Sequence, residues 1–319
     1  GLKVAVDVPT GVNSDTGEVS NEAVKADLTI TFHKSKQGIS KAGAYSGEIL
    51  VANIGLPREA EAYIGPGDVL LVRKPRVPES HKGDYGRVLV VGGSETYSGA
   101  PALAALAALR AGVDVVYIAA PAQTAHDIAS MFPSFITVKL EGNWLSPKNV
   151  TTVKSFIERS TSVVLGPGLG LHKESFEAVK QLIEVIEEAK IPLLLDADGL
   201  KAFAGFKRRV DFPLVLTPHA GEYEILTGAE LPEEIPGKAA HVKKTAGELG
   251  AVVLLKGPVD IVSDGKRVKL NRVVHNPGMT VGGTGDILSG VVGAFLSQGF
   301  DPFQSAVGGV FVNGAAGDL

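Results

Sequence analysis

The sequence predicts an α/β protein: a three-layer domain with a mostly parallel central sheet over residues 67–319, preceded by a smaller β-rich piece. Three observations carry the prediction. From about residue 67, short apolar runs alternate with helical stretches, the pattern of parallel strands joined by crossover helices. Most of those runs are apolar throughout, as strands buried on both faces are. Glycines and acids recur just past their carboxyl ends, where open α/β sheets bind ligands.

In chain order, β-pieces are read at residues 3–8, 27–32 and 48–54. Three such pieces are too few to bury a core, so this part is expected to belong to a longer Rossmann-like domain. The opening at Gly1-Leu2-Lys3 without Met, and the stop inside a helical stretch near residue 319, give the same expectation of a fragment. Residues 58–75 read as a connector: a short polar helix, the turn Gly65-Pro66-Gly67, then a short strand. The expected domains are therefore 1–66 and 67–319. Within the second, strands are read at residues 87–91, 114–119, 135–140, 162–165, 192–196, 213–216 and 251–256. A helix over 174–190 carries Phe176, Val179, Leu182, Ile183 and Ile186 at helical spacing. Another over 101–110 begins at Pro101 and ends before Gly112.

Composition narrows the function classes. A net charge of −4 supplies no electrostatic footprint for nucleic acid or an anionic membrane. No apolar run approaches the ~18 residues of a membrane span. There are no cysteines, which removes disulfides and thiolate metal sites and suits the cytoplasm. A homo-oligomer is expected.

The chemistry concentrates in residues 276–290, Asn-Pro-Gly-Met-Thr-Val-Gly-Gly-Thr-Gly-Asp-Ile-Leu-Ser-Gly. Gly278, Gly282, Gly283 and Gly285 lead into Asp286 and an apolar helix. Glycine permits positive φ and close backbone approach, and a helix N-terminus is an anion site. An aspartate placed there suits a base that deprotonates a hydroxyl attacking a phosphoryl group. The amides of Gly282, Gly283, Thr284 and Gly285 would hold that phosphoryl. Elsewhere the residues leave alternatives open. Lys256 closes a buried strand, either to bind phosphate or to reach the surface. His219 and Glu222 lie in Thr217-Pro218-His219-Ala220-Gly221-Glu222, a rigid loop at a strand's carboxyl end that can serve structure or a ligand. Asp196 and Asp198 could orient Mg²⁺-bound water or a ribose, or Asp198 could cap the next helix.

The 276–290 segment resembles the C-terminal signature of the ribokinase-like superfamily, in the form found in ADP/ATP-dependent NAD(P)H-hydrate dehydratases. Four further segments keep that family's order: 80–93 (Ser-His-Lys-Gly-Asp-Tyr-Gly-Arg-Val-Leu-Val-Val-Gly-Gly), Tyr97-Ser98-Gly99-Ala100-Pro101, Gly166-Pro167-Gly168-Leu169-Gly170 and 217–222. The resemblance, with Asp196-Ala197-Asp198-Gly199-Leu200, spans about residues 67–319 and implies a ribokinase-like fold. It implies that hydrated NADH or NADPH is bound by Ala100, Gly168, His219 and Asp286, with Asp286 catalytic. The adenine nucleotide would be bound by Lys256, Gly257, Pro258, Val259 and Asp260 and by 282–285. ADP or ATP is the implied phosphoryl donor, with Mg²⁺, and the form of residues 217–222 favours ADP.

The N-terminal piece resembles NAD(P)H-hydrate epimerases through Asp7-Val8-Pro9-Thr10-Gly11. That resemblance implies substrate binding by Asp7 and K⁺ ligation by Thr10. The family's Asn-Asn-Gly-Gly-Asp-Gly loop does not occur in this chain, so the epimerase site here is expected to be incomplete. Two other readings remain: a small-molecule kinase of the hydroxyethylthiazole or pyridoxal type, and a non-catalytic nucleotide-binding protein.

Overall fold

A computed structural model describes residues 1–272 and 276–319. The chain forms two compact units, Gly1–Glu61 and Ala62–Leu319. The first holds strands β1 (Val4–Val6), β2 (Leu28–Phe32) and β3 (Glu48–Ala52), with helix α1 (Gln37–Lys41) between the last two. All three strands pair in parallel, with β2 central. Its sheet is lightly covered: Ile39, Thr29 and Thr31 are buried, whereas Val6, Leu50 and Val51 are 69%, 48% and 48% exposed.

Helix α2 (Arg58–Ala62) leads into α3 (Pro66–Leu70), where the sequence suggests a short strand. The correction has a local cause. Pro66 has its φ preset for the first helical position, and Asp68 Oδ2 accepts the Gly65 N–H at 2.9 Å.

The second unit then alternates strand and helix. Its elements are β4 (Arg87–Val91), α4 (Gly99–Arg110), β5 (Val115–Pro121), α5 (Ala122–Met131), β6 (Ile136–Leu140), α6 (Val150–Ile157), β7 (Ser162–Leu165) and α7 (Lys173–Glu188). There follow β8 (Leu193–Leu195), α8 (Asp198–Ala204), β9 (Leu214–Leu216), α9 (Ala220–Thr227), α10 (Ile235–Leu249) and β10 (Val252–Leu255). The chain closes with β11 (Asp260–Ser263), β12 (Val268–Asn271), α11 (Thr284–Ser297) and α12 (Pro302–Gly317). Helix α4 starts at Gly99, two residues before the expected Pro101, because proline fits anywhere in a first turn that lacks intrahelical acceptors.

These strands form one sheet in the order β12-β11-β10-β9-β8-β7-β4-β5-β6. It is parallel except where β11 pairs antiparallel with β10 and β12. Alternate residues of each strand serve opposite cores. Leu89 and Val91 pack with Leu182 of α7, Phe203 of α8, Tyr223 of α9 and Ala246 of α10. Val88 and Val90 pack with Ala104 of α4, Ile128 of α5, Val292 of α11 and Val307 of α12. Helices thus cover both faces, and ligand-sized space is left at the carboxyl edge.

Candidate active site

Helix α11 starts abruptly. Gly283 caps it at φ 101°, a conformation that side chains rarely adopt, and a Cβ there would lie 2.7 Å from Leu103 of α4. The first helical bond is donated by Ile287 to the Gly283 carbonyl, so helix geometry directs the N–H groups of residues 284–286 out of the helix end. The Thr284 hydroxyl donates to the Met279 and Val281 carbonyls, both at 3.1 Å, and ties down the preceding loop. Gly282 has open space where a Cβ would stand, so protein packing does not require a glycine there. Asp286 occupies the first turn, half-buried.

Its surroundings decide its acidity. Burial, the charge of Asp196 and the charge of Glu222 push the Asp286 carboxyl up to about 6, against the pull of Lys256. Lys256 is 19% exposed. Burial alone would lower its pKa, but Asp196, Glu222 and Asp286 hold it above the usual lysine value. The ammonium donates to Asp196 Oδ1 at 2.8 Å and lies 3.8 Å from Glu222 Oε2. A Cβ on Gly285 would sit 3.4 Å from Lys256 Nζ. The Lys256 side chain thus turns in toward these carboxylates rather than out to the surface.

Asp196 is the hub that sequence reasoning underrated. It is 2% exposed. Oδ1 also accepts the Thr217 hydroxyl at 2.9 Å, and Oδ2 accepts Ser289 Oγ at 2.6 Å. Ser289 was not anticipated at all; the available signal was a serine one turn beyond Asp286 on an otherwise apolar helix. Asp198 does not cap α8, since Ala197 occupies that position without a side-chain bond. It instead accepts the Gly170 N–H at 2.8 Å and pairs with Lys201 at 2.8 Å, which pins the 166–170 loop. A Cβ on Gly166 would lie 1.9 Å from the Asp196 carbonyl, so only glycine allows β7 and β8 to end side by side.

His219 caps α9. Its backbone N–H donates to Glu222 Oε2 at 2.9 Å, and its Nδ1 accepts the Glu222 N–H at 3.3 Å. That bond leaves the proton of the neutral ring on Nε2. The side chain remains 59% exposed, available to a ligand. The Lys256 N–H donates to the Pro218 carbonyl at 2.8 Å, so the two loops advance together.

The predicted residues fall into groups. His219, Lys256, Gly257, Pro258, Asp260, Thr284 and Gly285 line one cavity of about 300 Å³. Asp260 accepts the Gly257 N–H at 3.1 Å and closes the turn that carries 256–260. Val259, Gly282, Gly283, Asp286, Ala100 and Gly168 are not among the residues lining it; Asp286 lies one residue beyond Gly285, which does line it, and acts electrostatically on Lys256. Ala100 and Gly168 meet instead at the start of α4, where a Cβ on Gly168 would be 3.4 Å from that of Ala100 and 3.0 Å from that of Tyr97. In the first unit, Asp7 follows β1 at φ 65°. Its carboxylate binds the Lys36 ammonium, the Phe32 N–H at 3.2 Å and the Thr31 hydroxyl at 3.0 Å. Chiefly the Lys36 bond, then that of Phe32, holds it below the usual aspartate value. Thr10 is exposed three residues further on.

Among the described residues, no cluster of three or more His, Cys, Asp or Glu is arranged to hold a metal ion, and no helix is long and apolar enough to cross a membrane.

Residues 88–319 match the family described as NAD(P)H-hydrate dehydratase, and residues 1–38 match the YjeF-related protein N-terminus. The bifunctional NAD(P)H-hydrate repair enzyme of Pyrobaculum aerophilum is 50% identical over 99% of this chain and 63% of its own length. That of Hyperthermus butylicus is 46% identical over 100% of this chain and 60% of its own. The chain thus spans about three fifths of the curated relatives it matches. The ADP/ATP-dependent NAD(P)H-hydrate dehydratase of Bacillus subtilis, co-crystallised with ATP and Mg²⁺, superposes with a TM-score of 0.68 at 27% identity, covering 83% of this chain and 90% of that one.

Proposed function

We infer the function from one premise: this chain belongs to the NAD(P)H-hydrate dehydratase family. We propose that its second domain, over residues 67–319, removes water from the (6S) hydrate of NADH or NADPH at the expense of ADP or ATP. The observation that carries the reading is Asp286, a carboxylate with its pKa pushed up to about 6, set in a glycine-rich helix start beside Lys256. A base of that strength, next to an anion site, suits deprotonation of a hydroxyl that attacks a phosphoryl group.

The hydrate carries a hydroxyl at C6 and an extra hydrogen at C5. Asp286 takes the hydroxyl proton as its oxygen attacks the terminal phosphoryl of the nucleotide. The amides of 282–285 hold that phosphoryl, and Lys256 with 257–260 holds the remaining phosphates and adenosine. Phosphate then leaves C6, expelled by the ring-nitrogen lone pair, and loss of the C5 proton restores the double bond. The products are the reduced cofactor, inorganic phosphate, and AMP or ADP. Ala100, Gly168 and His219 hold the hydrated ring against the donor.

Asp196, Glu222 and Asp286 all act on the ammonium of Lys256, a concentration of acids that suits a divalent cation carried in by the nucleotide. Glu222 and Asp286 would hold its water ligands, in the manner of Mg²⁺ sites with few protein ligands. When bound, that ion neutralises phosphate charge.

The first domain, over residues 1–66, is read as part of an epimerase that interconverts the R and S hydrates. Asp7 would bind substrate and the exposed hydroxyl of Thr10 would help ligate K⁺. The match over residues 1–38 and the bifunctional names of the longer relatives support this. A homo-oligomer in the cytoplasm, with no nucleic-acid or membrane partner, completes the proposal.

The test is to mix the protein with hydrated NADH and either ADP or ATP, and to follow dihydronicotinamide absorbance. Its return, with phosphate release, supports the dehydratase. A stable phosphorylated product would mean a kinase, and no turnover with intact nucleotide binding would mean a binding protein.

A further inference from the structure

The carboxyl edge of the large sheet has a second cavity, past the end of β6. It measures about 450 Å³, and its walls include Glu141, Asn143, Trp144, Ser146, Lys148 and Glu174. Trp144 stacks on His172 with ring centroids 3.9 Å apart and 23° between planes. The indole N–H donates to Glu174 Oε2 at 2.8 Å, and His172 Nδ1 accepts the Glu174 N–H at 3.3 Å. Both rings are therefore held rigidly at the start of α7. An indole fixed in a cavity wall, rather than sunk in the core, is a stacking surface for a planar base.

We propose that this cavity seats the adenosine half of the hydrated dinucleotide, with Trp144 as the surface on which adenine stacks. The inference rests on the substrate reading above, and its support is spatial. The sheet runs β10, β9, β8, β7, β4, β5, β6. The donor cavity at Lys256, the Gly168–Ala100 pair and the Trp144 cavity therefore follow one another along a single edge. Three strand spacings, about 14 Å, separate β7 from β6. His172 comes four residues after Gly168, so the Trp144–His172 stack lies no more than about 14 Å along the edge from that pair. Two nucleosides joined by a pyrophosphate bridge such a gap, whereas a single nucleoside does not. A further observation lies between the two ends. Ser94, 7% exposed, has a hydroxyl without a hydrogen-bond partner. That hydroxyl would be 3.7 Å from a Cβ on Gly170, beside the stretch a linking ribose or pyrophosphate would cross.

Trp144 is the only tryptophan in the chain, so intrinsic emission reports on this cavity. With the donor cavity saturated by ADP, added ADP-ribose should quench that emission saturably; an unchanged spectrum overturns the proposal. Kinetics supply the second arm, with hydrated NADH compared against the hydrate of reduced nicotinamide mononucleotide, which lacks adenosine. Trp144→Ala should raise KM for the dinucleotide about tenfold and leave kcat within about twofold. The mononucleotide constants should not change, and Trp144→Phe should restore most of the dinucleotide KM. Equal losses on both substrates, or an unaltered dinucleotide KM, overturn the proposal. If the unaltered protein turns over neither hydrate, the dehydratase reading has failed instead, and quenching by ADP-ribose still decides the cavity.

Discussion

On the proposed reading Asp286 is the base, and the setting of its carboxyl group makes two predictions. A base must be ionised to act. With Asp196 and Glu222 raising its pKa and Lys256 lowering it, to about 6, kcat/KM should fall as pH drops through that value. Asp286→Ala should lose that limb and orders of magnitude in kcat while nucleotide affinity, measured by calorimetry, persists. Full turnover in Asp286→Asn would end the assignment. The same shift bears on stability. The folded pKa lies above the unfolded value of 3.8, so the contribution is fully present below the unfolded pKa and lost as pH rises through about 6. Asp286→Asn should therefore melt higher than the parent at mildly alkaline pH, by of order 1 kcal/mol after screening of a partly exposed group. Near the unfolded pKa the two melts should coincide. The motif made Asp286 legible from its neighbours in sequence, whereas its pKa depends on acids contributed by β8 and α9.

At the scale of elements, α11 matters through the face it turns to α4. A Cβ on Gly290 would lie 2.1 Å from the Ala104 carbonyl and 2.8 Å from Ala107 Cβ. Alanine is the better helix former by about 1 kcal/mol, but here it must push two helices apart, and overpacking costs about 1–3 kcal/mol. Gly290→Ala should lower the melting temperature. It should also lower kcat, because α11 carries Asp286 and a shift of about 1 Å near the chemistry can cost about a hundredfold. An unchanged melt would show that the helices yield freely. Element identity was readable where burial is complete: the limits of β4 and β7, apolar runs in the centre of the sheet, coincide with the expected ones. Most other strands are shorter than expected, but β5 runs on to Pro121, because Ala120 and Pro121 still pair with Lys139 and Leu140 of β6. Strand β12 was not anticipated, since Val268-Lys269-Leu270-Asn271 is brief and half polar.

The whole molecule holds two units, and the first invites a test in a full-length homologue. If it belongs to an epimerase domain, Asp7→Ala should slow consumption of pure R hydrate while consumption of S hydrate continues. Equal R consumption by parent and variant, after correction for spontaneous epimerisation, would remove that role. The exposure of Val6, Leu50 and Val51 accords with the sequence argument that three β-pieces bury little by themselves. The pairing of Asp7 with Lys36 was not legible, because the contact spans an intervening strand.

By itself the sequence determined the class of fold, most of the alternation of strands and helices in the larger unit and the glycine-rich turn into Asp286. Those properties are local: hydrophobic period, positive-φ glycines and helix starts are written in neighbouring residues. Only the tertiary structure decided that Asp196 joins Lys256, Thr217 and Ser289 in one buried network, that the ammonium of Lys256 lies against Gly285, and that Trp144 stacks on His172. Each is a meeting of residues from segments far apart in the sequence. Sheet order brings them together, and that order is set by how whole elements bury their apolar faces rather than by any one segment.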